Sequence, residues 1–259
     1  MREHGLVQSA TGLGLDGHAC WTFDDDDDLI NGAAEFLADG VRLGQRLVLV
    51  GPADRLQARR DAILRREPLV RDAALELLEL EAIHSGGQTD ADAMLAMYSA
   101  ATEQALADGH TGLRVAAEVT ALVADPANHA CHTRWESVAD RYMASHPLAA
   151  LCCYDRRALP AGVIGDLCAV HPVAHGPVAP FRLFAAPGAL VVAGQVDYFS
   201  AGALQRALEA AADDGVALDL EPLGFADHHG MRALAESGLP LKGMPESMRR
   251  VCELFELAV

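Results

Sequence analysis

Apolar runs alternate with amphipathic stretches through the first 155 residues of the chain. Runs rich in Val, Leu and Ala and bounded by glycine or charge are typical of strands buried on both faces. From Leu29 to Val41 an apolar residue recurs every three or four positions, which indicates a helix. The pattern predicts strands at 18–23, 46–51, 75–84, 113–118 and 148–153, separated by helices at 24–40, 52–66, 89–107 and 131–145.

This alternation predicts an α/β fold with a doubly wound, mainly parallel sheet. Such sheets bind ligands in the loops that follow the carboxyl ends of their strands. Period-2 alternation also places His18 and Cys20 on one face of the first strand. We therefore predict a ligand pocket at the carboxyl edge of the sheet. Its predicted lining residues are Asp24, Glu118, Cys152, Tyr154 and Asp155, together with His18 and Cys20, whose place in the pocket is implied mostly by a family resemblance given below.

A second unit is indicated after residue 180 by a predicted hairpin, a helix capped by Ser200 and a short apolar run at 216–220. The motif Asp227-His228-His229-Gly230 then opens an amphipathic helix. A strand, a loop and a helix start present backbone N–H groups and the positive end of the helix dipole to whatever binds the loop.

Residues 181–259 resemble the STAS domain, the module shared by sulfate transporters and anti-sigma-factor antagonists. The matching pieces are the strand and turn Leu190–Asp197, the loop at 227–230, and the final strand and helix at 241–254. In that family a serine after the loop aspartate is phosphorylated by a partner kinase, whereas this chain has His228 there. The resemblance implies partner binding through Asp227, His228, His229 and Gly230.

Residues 13–172 resemble the MEDS domain, a sensory domain of methanogen and methylotroph regulators. The resemblance rests on four motifs: Gly17-His18-x-Cys20, a helix ending in Gly-x-x-x-Gly-Gln-Arg, Gly112-Leu113-Arg114, and Leu151-Cys152-x-Tyr154-Asp155. It implies a sensor with a degenerate fold related to RecA/KaiC ATPases. Together with a proline-rich stretch, the two resemblances predict a sensory domain at 1–172, a linker at 173–180 and a STAS-like domain at 181–259.

Charge and composition exclude several classes of protein. The formal net charge of −17 argues against binding to nucleic acid or to an anionic membrane. No apolar run reaches the roughly 20 residues of a membrane-spanning helix, and the first residues do not resemble a signal peptide. Six cysteines without CxxC spacing are typical of reduced thiols. The sequence therefore predicts a cytoplasmic protein.

Motifs that would indicate an enzyme are weak or missing. The sequence contains no GxxxxGK[ST] motif, so it lacks the lysine that holds nucleotide phosphates. A GxGxxG at 12–17 precedes a strand instead of following one, and we interpret it as a flexible lead-in. His129, Cys131 and His132 offer metal ligands, and His18, Cys20 and Cys152 lie at strand positions that could converge, a set that would suit zinc or iron. However, histidines exposed near a helix start are ordinary, and buried cysteines usually pack as small apolar residues. We predict no metal site, and the sequence identifies no cofactor.

The sequence thus predicts a bacterial signalling regulator that is not an enzyme. Its sensory domain would control a STAS-like domain that binds an anti-sigma factor or a related protein kinase. The alternative is a KaiC-like ATPase or a metal-dependent enzyme that uses the His/Cys cluster. The sequence leaves open which small-molecule ligand is sensed and whether the chain forms a homo-oligomer.

Overall fold

Seven parallel strands form the first sheet of the computed structural model, which describes residues 2–84, 88–176, 179–211 and 216–256. The order across the sheet is β1-β7-β2-β6-β5-β3-β4. Its strands are β1 (Gly5–Leu6), β2 (His18–Phe23), β3 (Arg46–Gly51), β4 (Leu75–Glu79), β5 (Leu113–Glu118), β6 (Leu148–Asp155) and β7 (Val173–His175). The predicted α/β fold with a parallel sheet is confirmed.

Helices cover both faces of this sheet, so the central strands are buried on both sides. They are α1 (Asp26–Leu43), α2 (Ala53–Arg66), α3 (Pro68–Arg71), α4 (Leu80–Ile83), α5 (Ala91–Ala107), α6 (Thr120–Ala124), α7 (Pro126–Met143) and α8 (Ala161–Ala169). The first three pack on one face, and α5, α7 and α8 lie on the other. No helix within the described ranges is long and apolar enough to cross a membrane.

The acidic run at 24–28 contains the N-cap and first turn of α1, as predicted. The Asp25 side chain accepts a hydrogen bond from the backbone N–H of Asp28, and acidic residues fill the first turn. Acidic groups at this end stabilise the helix dipole. The helix ends at Gly44, whose φ of 74° is the left-handed conformation that glycine adopts without strain.

The second sheet is mixed. It contains β8 (Phe181–Ala186), β9 (Ala189–Val196), β10 (Ala217–Asp219), β11 (Leu223–Ala226) and β12 (Leu241–Lys242). Strand β8 runs antiparallel to β9, while β10 and β11 pair in parallel with successive parts of β9. Its helices are α9 (Ala201–Ala211), α10 (His228–Glu236) and α11 (Glu246–Leu254).

Three local predictions are wrong. The strand expected to end near His84 stops at Glu79, and the short helix α4 follows. The N-terminal segment predicted to be a flexible lead-in is packed on the fold, because β1 pairs with β7 and Leu13 is buried. Residues 173–175 of the predicted linker are strand β7, which pairs with β2. Residues 177–178 lie outside the described ranges, and the division into domains stays a prediction.

The two sheets share one apolar core. Val115 and Cys152 of the first sheet belong to the same buried cluster as Phe181 and Leu190 of the second. Helix α7 lies between them and packs against both β8 and α9. Side chains on α7 can therefore contact groups from both sheets.

Candidate functional site

A group of polar side chains is buried between α7 and the first sheet. His132, Glu136 and Asp140 are spaced four residues apart on α7, so they share one face of the helix. All three are at most 1% exposed, although charged residues are rarely buried without partners. We call this group the polar cluster, and its members are His18, His132, Glu136, Asp140, Cys152, Tyr154 and His171.

Glu136 lies at the centre of the polar cluster. Its Oε1 accepts a 2.7 Å hydrogen bond from the Tyr154 hydroxyl and lies 3.0 Å from His132 Nε2. Its Oε2 lies 3.2 Å from His18 Nε2, 3.4 Å from His171 Nε2 and 3.5 Å from Cys152 Sγ. One carboxylate oxygen is thus fixed by the tyrosine hydroxyl, while the other meets two imidazoles and a thiol.

Asp140 connects the polar cluster to the second sheet. Its Oδ1 lies 3.1 Å from His18 Nδ1 and accepts a 2.7 Å hydrogen bond from Arg2 Nη1. Its Oδ2 accepts a 2.6 Å hydrogen bond from the backbone N–H of Ala185 in β8. Arg2 Nη1 also donates to the Ala185 carbonyl at 3.1 Å. A continuous polar path therefore runs from His18 to β8.

Burial and polar neighbours act in opposite directions on the pKa values of this cluster. Burial alone would raise the pKa of Glu136, but hydrogen bonds with neighbouring imidazoles, above all that of His132, hold it well below its usual range. Burial alone would lower the pKa of His18, but hydrogen bonds with Asp140 and Glu136 raise it. Burial lowers the pKa of His171. Buried acidic and imidazole groups therefore shift one another's pKa values within this cluster.

A small cavity adjoins the polar cluster. Its volume is about 30 Å³, and Glu136 and Cys152 form its polar side. The rest of its wall is apolar and includes Met94, Tyr98 and Trp135. This volume holds about one or two molecules of the size of water. Among the described residues that line the cavity, Glu136 is the one charged side chain.

The structure separates the seven residues predicted to line one pocket. Side chains that face α7 come together, namely those of His18, Cys20, Cys152 and Tyr154. Cys20 Sγ lies 3.7 Å from the thiol of Cys168 in α8. The meeting point lies beneath the face of the sheet and not at its carboxyl edge, because His18 opens β2 and pairs with Ala150.

The other three predicted residues lie elsewhere, so the expected single pocket is wrong. Glu118 points to the opposite face of the sheet, because strand side chains alternate, and it accepts a 2.9 Å hydrogen bond from Arg59. Asp24 follows β2 and pairs with Arg156, and Asp155 is the last residue of β6 and pairs with Arg157 near the surface. Whether any of the seven binds a ligand stays a prediction.

Sequence reasoning missed Glu136, Asp140 and His171. The available signal was the series His132, Glu136 and Asp140, which repeats every four residues on a predicted helix. Of the three ligand candidates at the start of α7, only His132 joins the cluster. His129 and Cys131 instead line a separate cavity of about 380 Å³ between α7, α8 and α9.

In the second sheet, the loop before α10 has an ordered helix start. Asp227 caps the helix by accepting hydrogen bonds of 2.8 and 3.0 Å from the backbone N–H groups of His229 and Gly230. It also accepts a 2.9 Å hydrogen bond from the N–H of Tyr198. A Cβ at Gly230 would lie 2.9 Å from Val196, so this position requires glycine.

Aromatic rings surround this loop and are open to solvent. Phe199 is 90% exposed and Tyr198 is 64% exposed. The rings of His228 and His229 are 4.0 Å apart, and His228 stacks on Phe255 at 4.6 Å. Exposed apolar patches of this kind mark binding surfaces. We call it the aromatic loop surface, formed by Tyr198, Phe199, Phe225, His228, His229 and Phe255.

Comparison with known families identifies the first part of the chain. Residues 17–172 match the model of MEDS, described as the methanogen/methylotroph, DcmR sensory domain. The matched range begins one residue before His18 and ends one residue after His171, so it spans the whole polar cluster. No curated protein and no solved structure matches the chain significantly.

Proposed function

Because the chain belongs to the MEDS family, we propose that it is a signalling protein whose sensory domain controls a protein-binding module. The family match supports a sensory role for residues 17–172. The module is formed by the second sheet, α9, α10 and α11. In this proposal the protein acts by binding and catalyses no reaction.

We propose that the module is STAS-like and binds an anti-sigma factor of the serine-kinase type. The aromatic loop surface carries this proposal, since Phe199 and Tyr198 form part of a contiguous exposed apolar patch, and such patches mark binding surfaces. The neighbouring loop supports it, because Asp227 caps α10 and Gly230 packs against Val196. Asp227 and Gly230 also match the loop motif of the STAS resemblance.

The polar path supports a route from sensor to module. Asp140 lies on α7 within the MEDS range, whereas Ala185 belongs to β8 of the second sheet. A change in the position of α7 would move the hydrogen-bond acceptor of the Ala185 N–H. In the proposed mechanism, a small molecule that enters the cavity beside Glu136 shifts α7 and thereby alters the module.

Binding of a candidate anti-sigma kinase to the full chain tests this function. Titration calorimetry should show a complex with the wild type, and Phe199→Ala should weaken it at least about tenfold, as expected for an aromatic hot spot. Leu106→Ala is the matched control, because Leu106 is an exposed apolar residue on α5, in the sensory part. Absence of binding, or equal affinity in the wild type and Phe199→Ala, would contradict the proposal.

A further inference from the structure

We propose that His18, Glu136, Cys152 and His171 bind one zinc ion in the polar cluster. The four ligand atoms are two imidazole nitrogens, a carboxylate oxygen and a thiol sulfur, and all lie within 4.8 Å of one another. They come from β2, α7, β6 and the segment after α8, so the fold and not a local sequence motif brings them together. The zinc site is independent of the proposed partner binding.

Four of the six distances between these atoms match the edges of a zinc tetrahedron, and the other two are at most 4.8 Å. With bonds of about 2.0–2.1 Å to nitrogen or oxygen and about 2.3 Å to sulfur, tetrahedral ligands lie about 3.3 Å apart, or about 3.6 Å when one is sulfur. Glu136 Oε2 lies 3.2 Å from His18 Nε2 and 3.4 Å from His171 Nε2. Cys152 Sγ lies 3.5 Å from that oxygen and 3.7 Å from His18 Nε2.

Second partners orient three of the four ligands, His18, Glu136 and His171, toward the common centre. His171 Nδ1 lies 2.8 Å from the Leu167 carbonyl, which can only accept, so Nδ1 carries the hydrogen and Nε2 keeps its lone pair. The carboxylate of Asp140 accepts in the same way from His18 Nδ1. Glu136 Oε1 is held by the Tyr154 hydroxyl, which leaves Oε2 for the metal. Metal-bound histidines and carboxylates are oriented in this way.

His171 gives independent support for a bound cation. Its ring is fully buried, and Nε2 makes no hydrogen bond with any residue of the described ranges. That nitrogen faces Glu136 Oε2 at 3.4 Å, so a lone pair opposes an acceptor oxygen. A buried polar atom without a partner is costly, and two facing acceptors repel. A cation between them would convert both into ligands.

The charges of the cluster balance around a divalent ion. Binding of zinc releases the Cys152 thiol proton, and any proton held on His18 Nε2, to solvent, and the thiolate and the Glu136 carboxylate together neutralise the metal. Asp140 remains paired with Arg2 at 2.7 Å. The loaded cluster therefore carries no net charge, which lowers the cost of burying it. One thiolate, two imidazoles and one carboxylate in a tetrahedral arrangement favour zinc.

Metal analysis and cobalt spectroscopy of the full chain test the site. Wild-type protein should contain about one zinc per chain, as set by the one such four-ligand group found among the described residues. After chelation it should bind Co²⁺ with a thiolate-to-metal charge-transfer band and the visible bands of tetrahedral cobalt. Cys152→Ser should abolish the charge-transfer band and lower the metal affinity by more than the roughly 10–100-fold expected for loss of an outer partner.

Cys153→Ser is the matched control, because Cys153 is buried in the same strand and packs on the opposite face. It should keep both the metal and the band. His171→Gln gives a second test that leaves the thiol in place, and it should lower the metal content. Wild type without stoichiometric zinc and without the cobalt bands would overturn the inference. Equal loss of metal in Cys153→Ser and Cys152→Ser would also overturn it.

Discussion

The carboxylate of Asp140 accepts a 2.6 Å hydrogen bond from the backbone N–H of Ala185. The two residues belong to different parts of the fold, since Asp140 lies on α7 and Ala185 lies in β8 of the second sheet. The same carboxylate pairs with Arg2 and approaches His18. This single side chain therefore links the polar cluster of the sensory part to the proposed partner-binding module.

Removal of this link should destabilise the whole chain. Asp140→Ala leaves a buried guanidinium and a buried N–H without their acceptor, which is expected to cost about 3–5 kcal/mol of unfolding free energy. Urea denaturation followed by circular dichroism measures the change. Glu103→Ala on the exposed face of α5 is the control and should change the value by less than about 0.5 kcal/mol. A similar small effect for Asp140→Ala would contradict the assigned role.

A second stability prediction concerns two helix glycines. A Cβ at Gly40 would lie 2.5 Å from both Arg114 Cδ and Leu47 Cδ2, so Gly40→Ala should cost about 1–3 kcal/mol through overpacking. A Cβ at Gly165 in α8 would meet no heavy atom of a neighbouring element within 4 Å, so Gly165→Ala should stabilise by about 0.5–1 kcal/mol. Thermal unfolding should shift the two variants in opposite directions. Equal shifts would contradict the close packing of Arg114 on α1.

The cap at Asp227 predicts an acid-sensitive helix start. Burial alone would raise the pKa of Asp227, but hydrogen bonds from the N–H groups of Gly230, Tyr198 and His229 lower it from the usual 3.8. A lowered folded pKa contributes stability above the unfolded value, and this is lost as pH falls through the folded pKa. Asp227→Ala should therefore cost about 1 kcal/mol at neutral pH.

Asp227→Asn separates the cap from the charge. Asparagine still accepts at this position, so it should recover most of the stability and remove the acid dependence below about pH 4 that Asp227 contributes. Unfolding measured between neutral and acid pH compares the three proteins. Identical acid dependence of wild type and Asp227→Asn would contradict the assignment.

The loop should not be switched by serine phosphorylation. His228 occupies the position of the phosphoacceptor serine in the STAS resemblance, and neither it nor His229 carries a hydroxyl. We expect wild type to stay unmodified when incubated with an anti-sigma kinase and ATP, and His228→Ser to gain one phosphate. Intact-mass analysis with peptide mapping measures this. A phosphate on wild type within residues 225–231 would contradict the prediction.

The chain should not hydrolyse ATP above background. It lacks the GxxxxGK[ST] loop that holds nucleotide phosphates and magnesium. In the structure, Glu118 at the end of β5 pairs with Arg59. Phosphate release by purified protein measures the rate. Turnover that disappears in Glu118→Gln would instead support a KaiC-like ATPase.

Local patterns predicted most of the fold because the hydrophobic periodicity of a strand or a helix is visible within one short segment of sequence. The alternation of His18 and Cys20, and the apolar run of β3, indicated the right faces and elements. The pattern could not predict the pairing of β7 with β2, since three residues carry little periodicity. It also could not show that Gly5–Leu6 extends the sheet, because pairing with a distant strand depends on the whole chain.

The candidate site was less predictable for the same reason. His18 and Cys152 were identified from strand faces. Glu136 and His171 lie close to them in space but follow His18 by 118 and 153 residues in the sequence. Only packing of α7 and α8 on the sheet brings these atoms together. Glu118 was expected beside them because it ends a neighbouring strand, but alternation along β5 places its side chain on the opposite face.

Hydrogen–deuterium exchange of the full chain, with and without a bound anti-sigma kinase, tests the central claim most directly. If the sensory part is connected to the module as proposed, exchange slows at Tyr198, Phe199 and residues 225–231, where the partner covers the aromatic loop surface. The exchange rate of the Ala185 amide, which donates to Asp140, should change as well. A partner that binds while these amides exchange as in the free chain would contradict both the docking surface and its connection to the sensory domain.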